Sequence, residues 1–171
     1  QLKYKVMKYA EIFNKAAIVR NIPLICEGRE LPSGMNAIVV LTRVQYDKHM
    51  HAFEEEMKDV LKNLKKEGFD ERSERQERLK DIDSRAESAK KWKKGDKDEN
   101  GNLIEKPAAP TPEELKEAEE IRKEKDSYGE EFEKLDSDYR EAYDKKMMEE
   151  VEFEERKFTA EQFETIIKMI G

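Results

Sequence analysis

Apolar positions along this chain follow two periods, and the period changes mark where one element gives way to the next. Leu2, Tyr4 and Val6 alternate with Lys3 and Lys5, the pattern of a half-buried strand. From about Met7 to Arg20, Ile12, Phe13, Ala16 and Ala17 share a helical face, which predicts a short helix. Pro23, Gly28, Pro32 and Gly34 then punctuate an irregular connection.

A long helix is predicted from near Asn36. Tyr46, Met50, Phe53, Met57, Val60 and Leu64 follow one another at alternating steps of four and three, a heptad seam suited to another helix. Gly68 interrupts the seam, and the stripe resumes out of phase at Leu79, Ile82, Ala86 and Ala89. A bend, a stutter and a break are all compatible with one glycine.

Residues 95–111 read as an exposed loop, rich in glycine, proline, Asp and Asn. Thr111-Pro112-Glu113-Glu114 then announces a helix: Thr111 caps, Pro112 suits the first turn, and Glu114 closes a capping box. Ala118, Ile121, Tyr128, Phe132, Leu135, Tyr139 and Ala142 keep one register behind it, with Lys125 as a polar gap. Two seams joined by one loop predict an antiparallel hairpin. The arms complement each other in charge, since basic residues slightly exceed acidic ones over 72–94 and acidic ones dominate over 113–155.

Val151 and Phe153 alternate with Glu152 and Glu154, so a second strand is expected, paired with the first and setting Lys3 and Lys5 against Glu152 and Glu154. A final helix follows, with Thr159 and Gln162 as a capping box and Phe158 and Phe163 as a staple. Its apolar face is Phe163, Ile166, Ile167 and Ile170. The expected fold is therefore mainly α: a long, coiled-coil-like antiparallel helical hairpin on a small α+β base formed by both termini. The base covers 1–45 and 148–171, and the arm 46–147.

Composition supports stripes rather than one large core. Of 171 residues, 36% are hydrophobic and 44% charged, against about 45–50% and about 25% in ordinary domains. A formal charge of −7 argues against a general nucleic-acid binder. No apolar run reaches the ~20 residues of a membrane span, and no secretory signal is read. Cys26 is the only cysteine, which fits a reducing compartment and reads as a packed thiol. The chain is expected in the cytoplasm.

Candidate chemistry is sparse. Asp96, Asp98 and Asn100 begin an EF-like loop with Gly101 at the turn, but Pro107 stands where the bidentate twelfth-position acid belongs. The plainer reading is a solvated turn. Lys90, Lys91, Trp92, Lys93 and Lys94 form a ligand-patch candidate, an aromatic among lysines that suits a base or an anionic surface. The alternative is a helix C-terminus complemented by its lysines. His51 and Glu55 lie four apart, as two metal ligands on one helix face would, yet no third ligand accompanies them. No catalytic residue, cofactor or complete metal site is expected.

Several short motifs resemble a group of small bacteriophage-encoded proteins of unknown function. They are Leu31-Pro32 before the long helix, Glu99-Asn100-Gly101-Asn102, Tyr128-Gly129-Glu130-Glu131-Phe132, Glu150-Val151-Glu152-Phe153, and Phe158 to Phe163. Relative to that pattern, Phe69 to Lys94 and Lys106 to Pro112 look inserted. The resemblance implies a phage product and carries no catalytic residues with it. The expected function is a non-enzymatic interaction protein in particle assembly or scaffolding, with protein partners and self-association as a homo-oligomer. Its expected interface is Val40, Val44, Phe163, Ile166, Ile167 and Ile170. The alternative is a binding module that inhibits or sequesters a host component.

Overall fold

The computed structural model describes residues 3–25 and 35–155, together with positions 159, 161 and 164. The order of elements is β1 (Lys3–Lys8), α1 (Tyr9–Ile25), α2 (Met35–Leu64), α3 (Phe69–Lys91), α4 (Pro112–Arg122), α5 (Lys125–Met147) and β2 (Glu150–Glu155). The protein is mainly helical, with one two-stranded antiparallel sheet joining a strand from near each end of the sequence. Phe163, Ile166, Ile167 and Ile170 of the expected final helix fall outside the described residues, as do Leu2, Cys26, Leu31 and Pro32.

The chain divides into two compact units, 1–64 with 138–171 and 65–137. The hydrophobic pattern alone drew its lines at 45/46 and 147/148. Compactness assigns the whole α2 seam, and the second part of α5, to the unit that holds the strands.

In that first unit Met7, Tyr9, Ile12 and Ala16 meet Tyr46, Phe53 and Met57 of α2 and Phe153 of β2 in one buried cluster. Tyr139, Ala142, Tyr143 and Met147 of α5 pack against it. The helical steps of four and three in α2 thus do face another helix. Phe53 is the hub, with ring centroids 5.1 Å from Tyr9, 5.0 Å from Phe13 and 5.3 Å from Tyr143. Lys146 is also buried here. It bonds the carboxylates of Glu56 and Glu149, and its ammonium lies 5.4 Å from the Tyr9 ring centroid. Burial alone would lower its pKa, but the two carboxylates outweigh that and raise it.

Two sequence expectations are corrected at the first helix and the sheet. α1 begins only at Tyr9, because Met7 and Lys8 complete the strand opposite Val151 and Glu150. It also runs past Arg20 through Pro23, whose missing N–H removes a single bond near the helix end. In the sheet, Lys5 stands opposite Phe153, Val6 opposite Glu152 and Tyr4 opposite Glu154. The expected pairing of Lys5 with a glutamate is one residue out. Phe153 and Met7 decide it: both are buried, and this register sets them on the inner face. Burying a Phe or Met side chain stabilises by about 1.5–3 kcal/mol, whereas an exposed ion pair contributes about 0–1 kcal/mol. A one-residue slip exchanges faces, so Tyr4 and Val6 are left outside.

In the second unit α3 and α4 run antiparallel around a small core of Leu79, Ile82, Ala118 and Ile121. Charge pairs flank it. Arg85 and Arg78 reach Glu114, Arg75 reaches Glu124, and Arg122 reaches Asp83. Arg72 holds Glu131 with two hydrogen bonds, at 3.0 and 2.6 Å. The basic excess of one arm does meet the acidic excess of the other. Gly68, in the left-handed region at φ 75°, precedes α3, so the glycine marks a break. A Cβ there would come within 2.9 Å of the Arg72 guanidinium.

The returning seam is not one helix: a turn at Lys123 and Glu124 separates α4 from α5. Phe132, expected within the seam, is half exposed. Its ring lies 6.2 Å from that of Tyr128, one turn earlier on the same helix.

Candidate interaction surface

A described surface that combines shape with exposed apolar groups lies in the first unit, where α2 runs along the edge of β2. Spacing places Leu41, Val44, Gln45, Lys48 and His49 along one side of α2. With Tyr4, Glu152 and Glu154 they line a cleft of about 370 Å³. Leu41, Val44 and Tyr4 are all exposed, Val44 by 58%. Val44 is one of the expected interface residues and is on this surface. Val40 lies on the same helix, its side chain outside the described set, as are the four expected partners from the final helix.

The polar groups of this cleft hold the fold together. The Gln45 carboxamide accepts the Glu154 backbone N–H at 2.5 Å and donates to the Glu154 carbonyl at 3.2 Å. One turn on, His49 makes a hydrogen bond to the Glu152 backbone and stands 6.2 Å from the Phe153 ring. Burial and the neighbouring Lys48 charge lower its pKa, against that hydrogen bond. Nothing in the sequence pattern singles out this pair, because no local signal marks which helix face meets a strand edge.

A second cleft of about 360 Å³ opens between α1, α2 and α5. Phe13, Phe53, Met57, Leu61, Tyr139 and Tyr143 line it, with Glu54 and Lys58 at its rim. Its floor is the aromatic hub, so it is a recess in the core packing. Lys58 is held by Glu55 at 2.7 Å. His51 is exposed beside Glu55, and among the described residues no group of three His, Cys, Asp or Glu side chains converges as a metal site.

The EF-like segment, within the second unit, is a three-residue hairpin loop. Asp98 N–H donates to the Asn102 carbonyl at 2.8 Å, Gly101 N–H donates to the Asp98 carbonyl at 3.0 Å, and Gly101 takes φ 81°. The Asp98 carboxylate accepts the N–H groups of Asn100 and Asn102, both at 2.9 Å, which lower its pKa. Asp96 accepts the Lys93 N–H at 2.8 Å. Both carboxylates thus face backbone amides and not a common centre.

Trp92 ends α3, its N–H donating to the Ser88 carbonyl and its indole N–H to the Ile104 carbonyl at 2.9 Å. The ring is half-buried, so it closes the loop against the helix end. Lys90, Lys91, Lys93 and Lys94 are exposed around it, and Lys91 pairs with Glu87. No helix among the described residues is long and apolar enough to cross a membrane. The chain matches no protein-family model, no curated protein and no solved structure.

Proposed function

We propose that this chain is a non-enzymatic interaction protein of bacteriophage origin, acting in particle assembly or as a scaffold through protein–protein contacts. The observation that carries this reading is the exposed set Tyr4, Leu41 and Val44 around the α2–sheet cleft. Contiguous apolar groups on a surface usually mark an interface. The groups with chemical potential nearby, Gln45 and His49, are engaged with backbone and leave no poised acid, base or nucleophile. Self-association through this surface as a closed pair is the simplest arrangement. The phage assignment rests on the short motifs named above, and it puts the protein in the host cytoplasm or in the virion.

A second reading, a module that sequesters a host component, draws on the lysines around Trp92. Lys90, Lys93 and Lys94 make no side-chain ion pair among the described residues. Co-purification from expressing cells separates the two. Assembly predicts that phage structural proteins are retained, and sequestration predicts a host protein or nucleotide. A turnover activity that survives removal of both surfaces would overturn the contact reading.

A further inference from the structure

A two-stranded sheet has two outer edges, and this one treats them differently. The edge of β2 is covered by α2, with Gln45 on Glu154 and His49 on Glu152. Among the described residues nothing covers the edge of β1 in this way. Glu154 turns its N–H and C=O toward Gln45, so Tyr4 opposite it turns its own toward the far side. The two-residue period gives Val6 the same orientation. The bond from Tyr9 N–H to the Glu149 carbonyl, one step beyond the strand, fits the same alternation. No hydrogen bond joins the outward groups of Tyr4 or Val6 to another described residue. Both side chains stand in solvent, exposed by 69% and 56%. Lys5 between them is exposed and Lys8 half-buried, and neither has an ion pair among the described residues.

We infer that the open edge of β1 docks an extended acidic segment of a partner protein, which adds as a third strand beside Tyr4 and Val6. This rests on the contact reading and names one of its surfaces. The outward N–H and C=O groups of Tyr4 and Val6 supply main-chain bonds, which give affinity without sequence specificity. Side chains then select. On the outer face the incoming strand meets Tyr4 and Val6, which favour apolar residues. On the other face it meets Lys5, which favours a carboxylate. The matching segment alternates apolar and acidic residues. A second copy of β1 fits poorly. The twofold register that lets Tyr4 and Val6 bond each other's copies sets Lys5 against Lys5. Like charges directly opposite are destabilising, and lysine on an open edge guards against self-pairing.

The test uses the full chain and two labelled octapeptides, alternating Glu-Val and alternating Lys-Val, titrated by fluorescence anisotropy. The Glu-Val peptide should bind saturably, about tenfold or more tighter than the Lys-Val peptide, and should weaken at high salt. Lys5→Glu should reverse the preference. Val6→Pro removes an outward N–H that β2 does not use, a change edge strands tolerate, and should abolish binding while the circular dichroism stays unchanged. If that variant unfolds, Lys5→Glu carries the test. Equal binding of the two peptides, or no binding at millimolar concentration, overturns the inference. So does a doubling of mass on Lys5→Ser, which would give the edge to a second copy. Binding that persists in folded Val6→Pro overturns the edge as the site and leaves the contact reading standing on another surface.

Discussion

The Gln45 carboxamide pairs with both backbone groups of Glu154, at 2.5 and 3.2 Å, doing for β2 what a third strand would do. Gln45→Leu removes both partners at a half-buried edge. Loss of such bonds costs about 1–3 kcal/mol, so urea unfolding should show a drop of that size. The Glu154 amide should also exchange faster. Unchanged stability and exchange would mean that water replaces the glutamine without cost.

Phe53 of α2 touches three aromatic rings from two other helices of the first unit, Tyr9 and Phe13 of α1 and Tyr143 of α5. Phe53→Ala should cost about 3–5 kcal/mol, and Phe53→Leu clearly less. Thermal unfolding followed by tyrosine absorbance measures both. Equal small losses from the two would show that the cluster collapses around the gap.

Lys146 is a buried cation held by Glu56, Glu149 and the Tyr9 face. Lys146→Met keeps the aliphatic bulk and removes the charge-assisted bonds. Both carboxylates are largely exposed, which discounts the loss to about 1–2 kcal/mol by urea unfolding. A gain in stability would show that desolvating the ammonium outweighs its partners, as in other buried ion pairs.

Glu114 is one expected source of acid sensitivity in the second unit, where Glu87 and Asp98 also have lowered pKa values. Arg85 first, then the Thr111 N–H and Arg78, lower the Glu114 pKa from 4.5 to about 2. A lowered carboxyl pKa means that its stabilisation is complete above about 4.5 and is lost as pH falls toward about 2. Urea unfolding at steps between those values should show declining stability, and Glu114→Gln should flatten that decline. An equally steep decline in the variant would assign it to other carboxylates.

What was legible in the sequence depended on how local the cause was. The capping box at Thr111 and Glu114 forms both of its bonds, at 3.2 and 3.0 Å, because capping joins residues three apart. The α2 seam was equally readable, since steps of four and three commit one face whatever covers it. Strand register was not. Lys5 and Glu152 matched as charges, but Met7 and Phe153 had to be inside, and only the assembled core reveals that. The turn at Lys123 and Glu124 is not legible in the pattern, because Lys125 reads as a polar gap in one seam. Of the expected interface, only Val44 can be placed on a surface; Gln45 and His49 beside it carry no motif that names their role.

The central claim, that the protein acts by contact through the exposed face of α2, is tested most directly by mass in solution. Light scattering on the full chain at about 100 µM, within the usual range of weak self-association, should give more than the 20.2 kDa of one chain. Val44→Asp, at a position already exposed, should leave the circular dichroism intact and return the mass to one chain. A folded monomer of 20.2 kDa, unchanged by Val44→Asp, would contradict self-association through this face.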